Sequence, residues 1–114
     1  MDDCLFCRIV TKKIPAAIVH ETDKTLAFRD IHPEAPVHVL VIPKEHVPSL
    51  FHWEAKHSPL LSAVHESIQA VVRETGVAKS GFRVVVNTGP DAQQTVQHVH
   101  YHVLGGRSLS WPPG

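Results

Sequence analysis

Apolar positions along this chain change period several times, and each change marks an element. Leu5, Phe6 and Ile9 recur at helical spacing within residues 4–11, ahead of the breaker Lys12-Lys13-Ile14-Pro15, which predicts a helix of about two turns. Residues 18–22 and 25–30 are short β-branched and aromatic runs joined by Asp23-Lys24, the pattern of two antiparallel strands. After the two prolines of His32-Pro33-Glu34-Ala35-Pro36, residues 37–42 are apolar except for His38 and predict a central strand that Pro43 ends. One long amphipathic helix is signalled by Ser58 and Pro59, then Leu60, Leu61, Val64, Ile68, Val71 and Val72, with Gly76 as the stop. Residues 82–86 form a further strand, Asn87-Thr88-Gly89-Pro90-Asp91 opens a polar loop, and residues 98–104 make the last strand. The expected fold is α+β: a five-stranded antiparallel sheet with one short and one long helix, the long helix covering one face.

The 114 residues suit a single domain over 1–114, with enough buried surface to need no disulfide framework. Eleven Lys plus Arg against eleven Asp plus Glu leave no bulk field for nucleic acid or an anionic membrane. No apolar run is long enough to span a bilayer and Met1-Asp2-Asp3-Cys4 is acidic where a signal peptide is basic, so the expected location is the cytoplasm. Cys4 and Cys7 enclose too small a loop for a useful disulfide and read better as half of a metal site.

Ten histidines are many for this length, and histidine is the side chain that titrates near neutrality. His20, His32, His52, His57 and His65 read as ordinary surface or satisfied residues. In Gln97-His98-Val99-His100-Tyr101-His102-Val103-Leu104, by contrast, strand alternation places His98, His100 and His102 on one face and Val99, Tyr101 and Val103 on the other. Three buried imidazoles would each need a hydrogen-bond partner, so this face reads as chemistry.

The run from His98 to Leu104 resembles the signature of the histidine triad family. Further similarity lies in Cys4-Leu5-Phe6-Cys7-Arg8-Ile9, Phe28-Arg29-Asp30-Ile31-His32-Pro33, the stretch from Ala35 to Lys44, Asn87-Thr88-Gly89, Leu104-Gly105-Gly106-Arg107 and Trp111-Pro112-Pro113-Gly114. These segments resemble the family's nucleotide-binding phosphoramidase branch. The resemblance implies a homodimer with a continuous ten-stranded sheet, and hydrolysis of purine nucleoside phosphoramidates such as adenosine monophosphoramidate. It implies His100 as the nucleophile that forms a nucleotidyl-imidazole, His102 as donor to the phosphate, and His38 as a brace of the imidazole network. Thr95 stands where many members carry a leaving-group serine. Asn87 would approach the phosphate, Asp30 the ribose hydroxyls, and Phe6, Ile9, Phe28 and Ile31 the base. No cofactor is implied for catalysis. A structural zinc on Cys4, Cys7, His46 and His98 is. Ala92 and Gln93 stand where relatives commonly have glycine. Two other classes stay open: a zinc-dependent hydrolase, because His-x-His on a strand also chelates catalytic metal, and a nucleotide-binding regulatory scaffold without relevant turnover. The tail 110–114 is expected to influence selectivity near a dimer partner's site.

Overall fold

The computed structural model describes residues 3–114. Its elements in chain order are α1 (Leu5–Val10), β1 (Ile18–Glu21), β2 (Thr25–Arg29), β3 (Val37–Pro43), α2 (Ser58–Glu74), α3 (Val77–Ser80), β4 (Phe82–Val86) and β5 (Tyr101–Gly105), with single 3-10 turns at Leu50–His52 and Ala55–His57. The five strands form one antiparallel sheet in the order β1-β2-β3-β5-β4. The two 3-10 turns and α3 are additions to the expected elements. No helix among the described residues is long and apolar enough to cross a membrane.

Alternation along β3 assigns each residue a face. Val39 and Val41 join Val64, Ile68, Val71 and Val72 of α2 in one core, with Val99, Tyr101 and Val103. Leu40 and Ile42 join Phe6 and Ile9 of α1 in a second core on the opposite face, with Leu26 and Phe28 of β2. The sheet thus separates two helices, the long one packed across β1, β2 and β3. In the β1–β2 turn, the Thr22 and Thr25 hydroxyls bond each other at 2.7 Å and Thr25 bonds Ser67 of α2, so the polar floor beneath the helix is satisfied.

The last strand is shorter than expected at its start. Val37 to Val41 pair with Gly105 back to Tyr101, and residues 98–100 lie outside the ladder. There Val99 N–H donates to the Val47 carbonyl at 2.7 Å, beyond the end of β3, while Pro43 has no N–H to continue the ladder and its carbonyl accepts from the His98 ring. Gly105 extends the strand where a Cβ would lie 2.8 Å from a Val77 methyl, so the close approach of α3 to β5 requires glycine there.

Candidate active site and metal centre

The face carrying the second core also carries the histidines. His102 pairs in register with Leu40, and His38 with Leu104, so strand pleating brings both imidazoles to the side occupied by α1. The Phe6 ring meets His100 and His98 edge-on, at centroid separations of 5.1 and 6.0 Å. Although residues 98–100 leave the ladder, the alternation of faces expected from the sequence persists through them: Val99, Tyr101 and Val103 all enter the core under α2.

Each histidine has a partner that fixes which nitrogen carries the proton. His100 Nδ1 lies 2.8 Å from the His98 carbonyl, which can only accept, so Nδ1 carries the hydrogen and Nε2 keeps its lone pair. His38 Nδ1 accepts from the Glu34 N–H at 3.0 Å, which leaves the hydrogen on Nε2, 2.9 Å from His102 Nδ1 and 3.5 Å from an Asp30 carboxylate oxygen. His102 Nδ1 is therefore the acceptor, and its Nε2–H is the free donor. Neutral rings are what burial favours. Desolvation, then the neighbouring His100 and His38, pushes His102 down to about 4. Desolvation likewise lowers His100, against the opposing effect of its bond to the His98 carbonyl.

A cavity of about 300 Å³ opens onto this pair. Phe6, Ile9, Phe28 and Leu40 supply apolar wall, Asp30 and Arg29 polar groups, the exposed Thr95 part of the rim beside Val96, and His100 and His102 lie on its lining. Ile31 contributes to the cavity but is 86% exposed, so it sits at the mouth. Asp30 is partly engaged, since one carboxylate oxygen accepts from the His32 N–H at 2.8 Å. Asn87 is half-buried beyond the end of β4 and is not among the residues that line the cavity.

The 89–97 loop beside the cavity closes on itself. Gln94 accepts from the Gly89 N–H at 3.1 Å and donates to the Pro48 and Val96 carbonyls at 2.8 and 3.0 Å. Gln93 adopts φ +60°, a left-handed conformation that glycine enters without a Cβ clash, so the loop keeps its shape despite the non-glycine residue. Gln94, Leu40 and the Glu34 amide were not singled out from the sequence. Leu40 was within reach, because the period-2 count that places Leu40 on a face places it with His38 and Ile42. The contacts of Gln94 and Glu34 depend on loop backbone, for which side-chain spacing gives no signal.

The second cluster comprises Cys4, Cys7, His46 and His98, whose ligand atoms all lie within 4.8 Å of one another. Cys4 caps α1 and its sulfur accepts from the Cys7 N–H at 3.4 Å, so one residue starts the helix and faces the cluster. His98 Nε2–H donates to the Pro43 carbonyl at 2.8 Å, leaving the Nδ1 lone pair 3.5 Å from Cys4 Sγ and 3.6 Å from Cys7 Sγ. His46 Nδ1 lies 3.4 Å from Cys7 Sγ. Tetrahedral zinc with ordinary Zn–S and Zn–N bonds requires S···N edges of about 3.6 Å, so the residues fit the ion in type, tautomer and spacing. On the protein groups alone, burial and the adjacent Cys4 push the Cys7 thiol up to about 11, and a divalent cation is the charge that would favour thiolates here. Burial, then His46 and His100, lowers His98 to about 4, which keeps its ring neutral and able to ligate.

Asp30, His38 and His102 form another group with metal-like spacing. The tautomers argue against it: with His38 Nδ1 accepting from an amide, a neutral ring must keep its hydrogen on Nε2, the atom that would have to ligate. That group is a hydrogen-bond chain.

Three comparisons agree with this geometry. A family model described as scavenger mRNA decapping enzyme C-term binding matches residues 3–110. A 14 kDa zinc-binding protein of Brassica juncea is 44% identical over 98% of this chain and 100% of its own length. The adenylylsulfatase HINT1 of Arabidopsis thaliana is 44% identical over 96% of this chain and 76% of its own length. Among solved structures, a HIT family hydrolase from Legionella pneumophila superposes with a TM-score of 0.96 at 41% identity, covering 98% of this chain and 100% of that one.

Proposed function

This chain belongs to the histidine triad family, and from that premise we propose that it is a nucleotide hydrolase that cleaves purine nucleoside phosphoramidates through a covalent nucleotidyl-His100 intermediate. The observation that carries the reading is the pair of fixed tautomers on one cavity wall: a bare Nε2 on His100 beside an N–H donor on His102. Attack of His100 Nε2 on phosphorus forms an N–P bond as the bond to the departing amine breaks. His102 Nε2–H donates to the phosphate oxygens, where charge develops. Thr95, at the rim, donates its hydroxyl proton to the leaving nitrogen, which departs as the amine, and the proton lost by the attacking water in the second step restores that hydroxyl. Water then attacks phosphorus, the imidazole departs, and nucleoside monophosphate is released. The apolar pocket of Phe6, Ile9 and Phe28, with Ile31 at its mouth, takes the base, while Asp30 accepts from the ribose hydroxyls.

Zinc on Cys4, Cys7, His46 and His98 would supply structural crosslinking and no catalytic step. The relative named as a zinc-binding protein supports that assignment, and the adenylylsulfatase relative supports sulfate as a second leaving group. The working form is a homodimer joined through the free edge of β4, where Phe82 and Val84 are exposed. Cysteines kept as metal ligands and not as a disulfide suit the reducing cytoplasm.

The test is hydrolysis of adenosine monophosphoramidate by wild type and His100→Ala, with intact-mass detection of an adenylyl adduct in rapidly quenched wild type. Turnover by wild type, an adduct, and a rate reduced about a thousandfold or more in His100→Ala are the expected results. Full activity in His100→Ala would overturn the mechanism.

A further inference from the structure

The hydrogen-bond chain that fixes His102 starts outside the cavity, in the tail. Arg107 lies beyond β5, is exposed, and is not among the residues that line the cavity. Its Nε and Nη2 both donate to the Glu34 carbonyl, at 3.1 and 2.9 Å, while Nη1 donates to the Ser108 carbonyl at 2.9 Å. A planar guanidinium that grips one carbonyl with two N–H groups fixes orientation as well as distance. The neighbouring Gly106 brings the two segments together: at φ +90° a Cβ would sit 2.9 Å from the Pro36 Cβ.

Glu34 is exposed and its side chain takes no part. Its amide N–H, one atom from the Cα that also bears the gripped carbonyl, donates to His38 Nδ1. An amide can only donate, so this single bond decides the tautomer of His38, and through the 2.9 Å contact that of His102. If the Glu34 amide moves away, His38 is free to carry its hydrogen on Nδ1. His38 Nε2 would then be a bare lone pair facing the Asp30 carboxylate and His102, and His102 would answer by protonating Nδ1. Its Nε2 would lose the hydrogen meant for the phosphate.

We infer that Arg107 is a positioning residue: by holding residue 34 it sets the tautomers of His38 and His102, so that His102 presents a donor to the cavity. The inference rests on the proposed role of His102 as phosphate donor, and the tautomer itself can be read without turnover.

The experiment compares wild type, Arg107→Ala, Arg107→Lys and Arg83→Ala. Arg83 is the apt control because it also holds the tail, through the Ser110 and Leu109 carbonyls and the Trp111 ring. Long-range 1H–15N spectra report which His38 and His102 nitrogens carry hydrogen, and steady-state kinetics with adenosine monophosphoramidate separate kcat from KM. Wild type and Arg83→Ala should show a bare His38 Nδ1. Arg107→Ala should show mixed His38 tautomers and a kcat reduced about tenfold with KM changed less than about twofold, since the nucleotide contacts are untouched. Lysine, with one ammonium in place of the fork, should recover part of the loss, as should added guanidinium with Arg107→Ala. A wild-type His38 tautomer in Arg107→Ala would overturn the inference, and so would an equal change in Arg83→Ala. Shifted tautomers in Arg107→Ala with no turnover even in wild type would support the relay and overturn the proposed function instead.

Discussion

The three histidines of the run 98–102 share a face and a residue type, yet each is held by a different acceptor or donor. His98 leans on the Pro43 carbonyl, His100 on the His98 carbonyl, and His102 on His38, so His98 presents a bare Nδ1, His100 a bare Nε2 and His102 an Nε2–H. All three are disfavoured as cations by burial, His98 and His102 down to about 4. In the unfolded chain the same rings protonate near 6.5. Below about pH 6.5 the unfolded state therefore gains protons that the folded state refuses, and each such histidine lowers stability by at most about 1.4 kcal/mol per pH unit until its folded value is reached. Stability from His98 and His102 is fully present well above pH 6.5 and is lost between there and about 4, and His100 acts in the same direction. Glu21, lowered to about 2 by its bonds to Lys12 and Lys44, acts in a more acidic window, because its contribution fades only below the ordinary carboxylate value. Urea midpoints should thus be level from pH 8 to 7 and decline from 6.5 to 5, with a shallower decline in His102→Gln. A level midpoint down to pH 5 would show that the rings titrate normally.

At the scale of elements, α1 is too short to be helical alone, since about 12 to 15 residues are needed for marginal stability in water. Phe6 and Ile9 bury one side of it, and the four-ligand cluster would fasten its first turn to His98 and to the segment after β3. Removing metal with a chelator, or replacing Cys7 with Ala, should lower the melting temperature by about 5 to 10 °C and speed amide exchange in α1 first. Purified protein without metal, and a melting temperature indifferent to chelator, would sink the clamp. The sequence already exposed most of this arrangement: helix and strand spacing located every strand, and the Cys-x-x-Cys pattern announced half a metal site. Three features were not legible. The 3-10 turns between Pro48 and Ser58 lack any sustained period, residues 98–100 look like strand because their alternation continues after the ladder ends, and the tautomers depend on carbonyls and amides that carry no side-chain signature.

On the scale of the whole molecule the sheet is unevenly covered. Helix α2 lies over β1, β2 and β3, while β4 at the other edge pairs only with β5 and leaves Phe82 and Val84 at 43% and 39% exposed. An edge with open backbone groups and apolar side chains is a site for strand addition unless something blocks it. Here nothing on the strand does so except Arg83, whose side chain is engaged with the tail. A second copy pairing antiparallel along β4 would continue the hydrogen bonding and bury Val84 against its own image, giving the ten-stranded sheet that the family resemblance implies. The 12.6 kDa chain should then sediment at about twice its mass. Val84→Lys would place like charges across the two-fold axis and should shift the population to monomer, with the cavity and its histidines intact at the far side of β5. If Val84→Lys remains a dimer the contact lies elsewhere, and if wild type is a monomer at micromolar concentration the open edge serves some other purpose. Because the tail is anchored on Arg83 of the same chain, residues 109–111 should keep their amide protection in Val84→Lys, and faster exchange there would show that the interface also holds the tail.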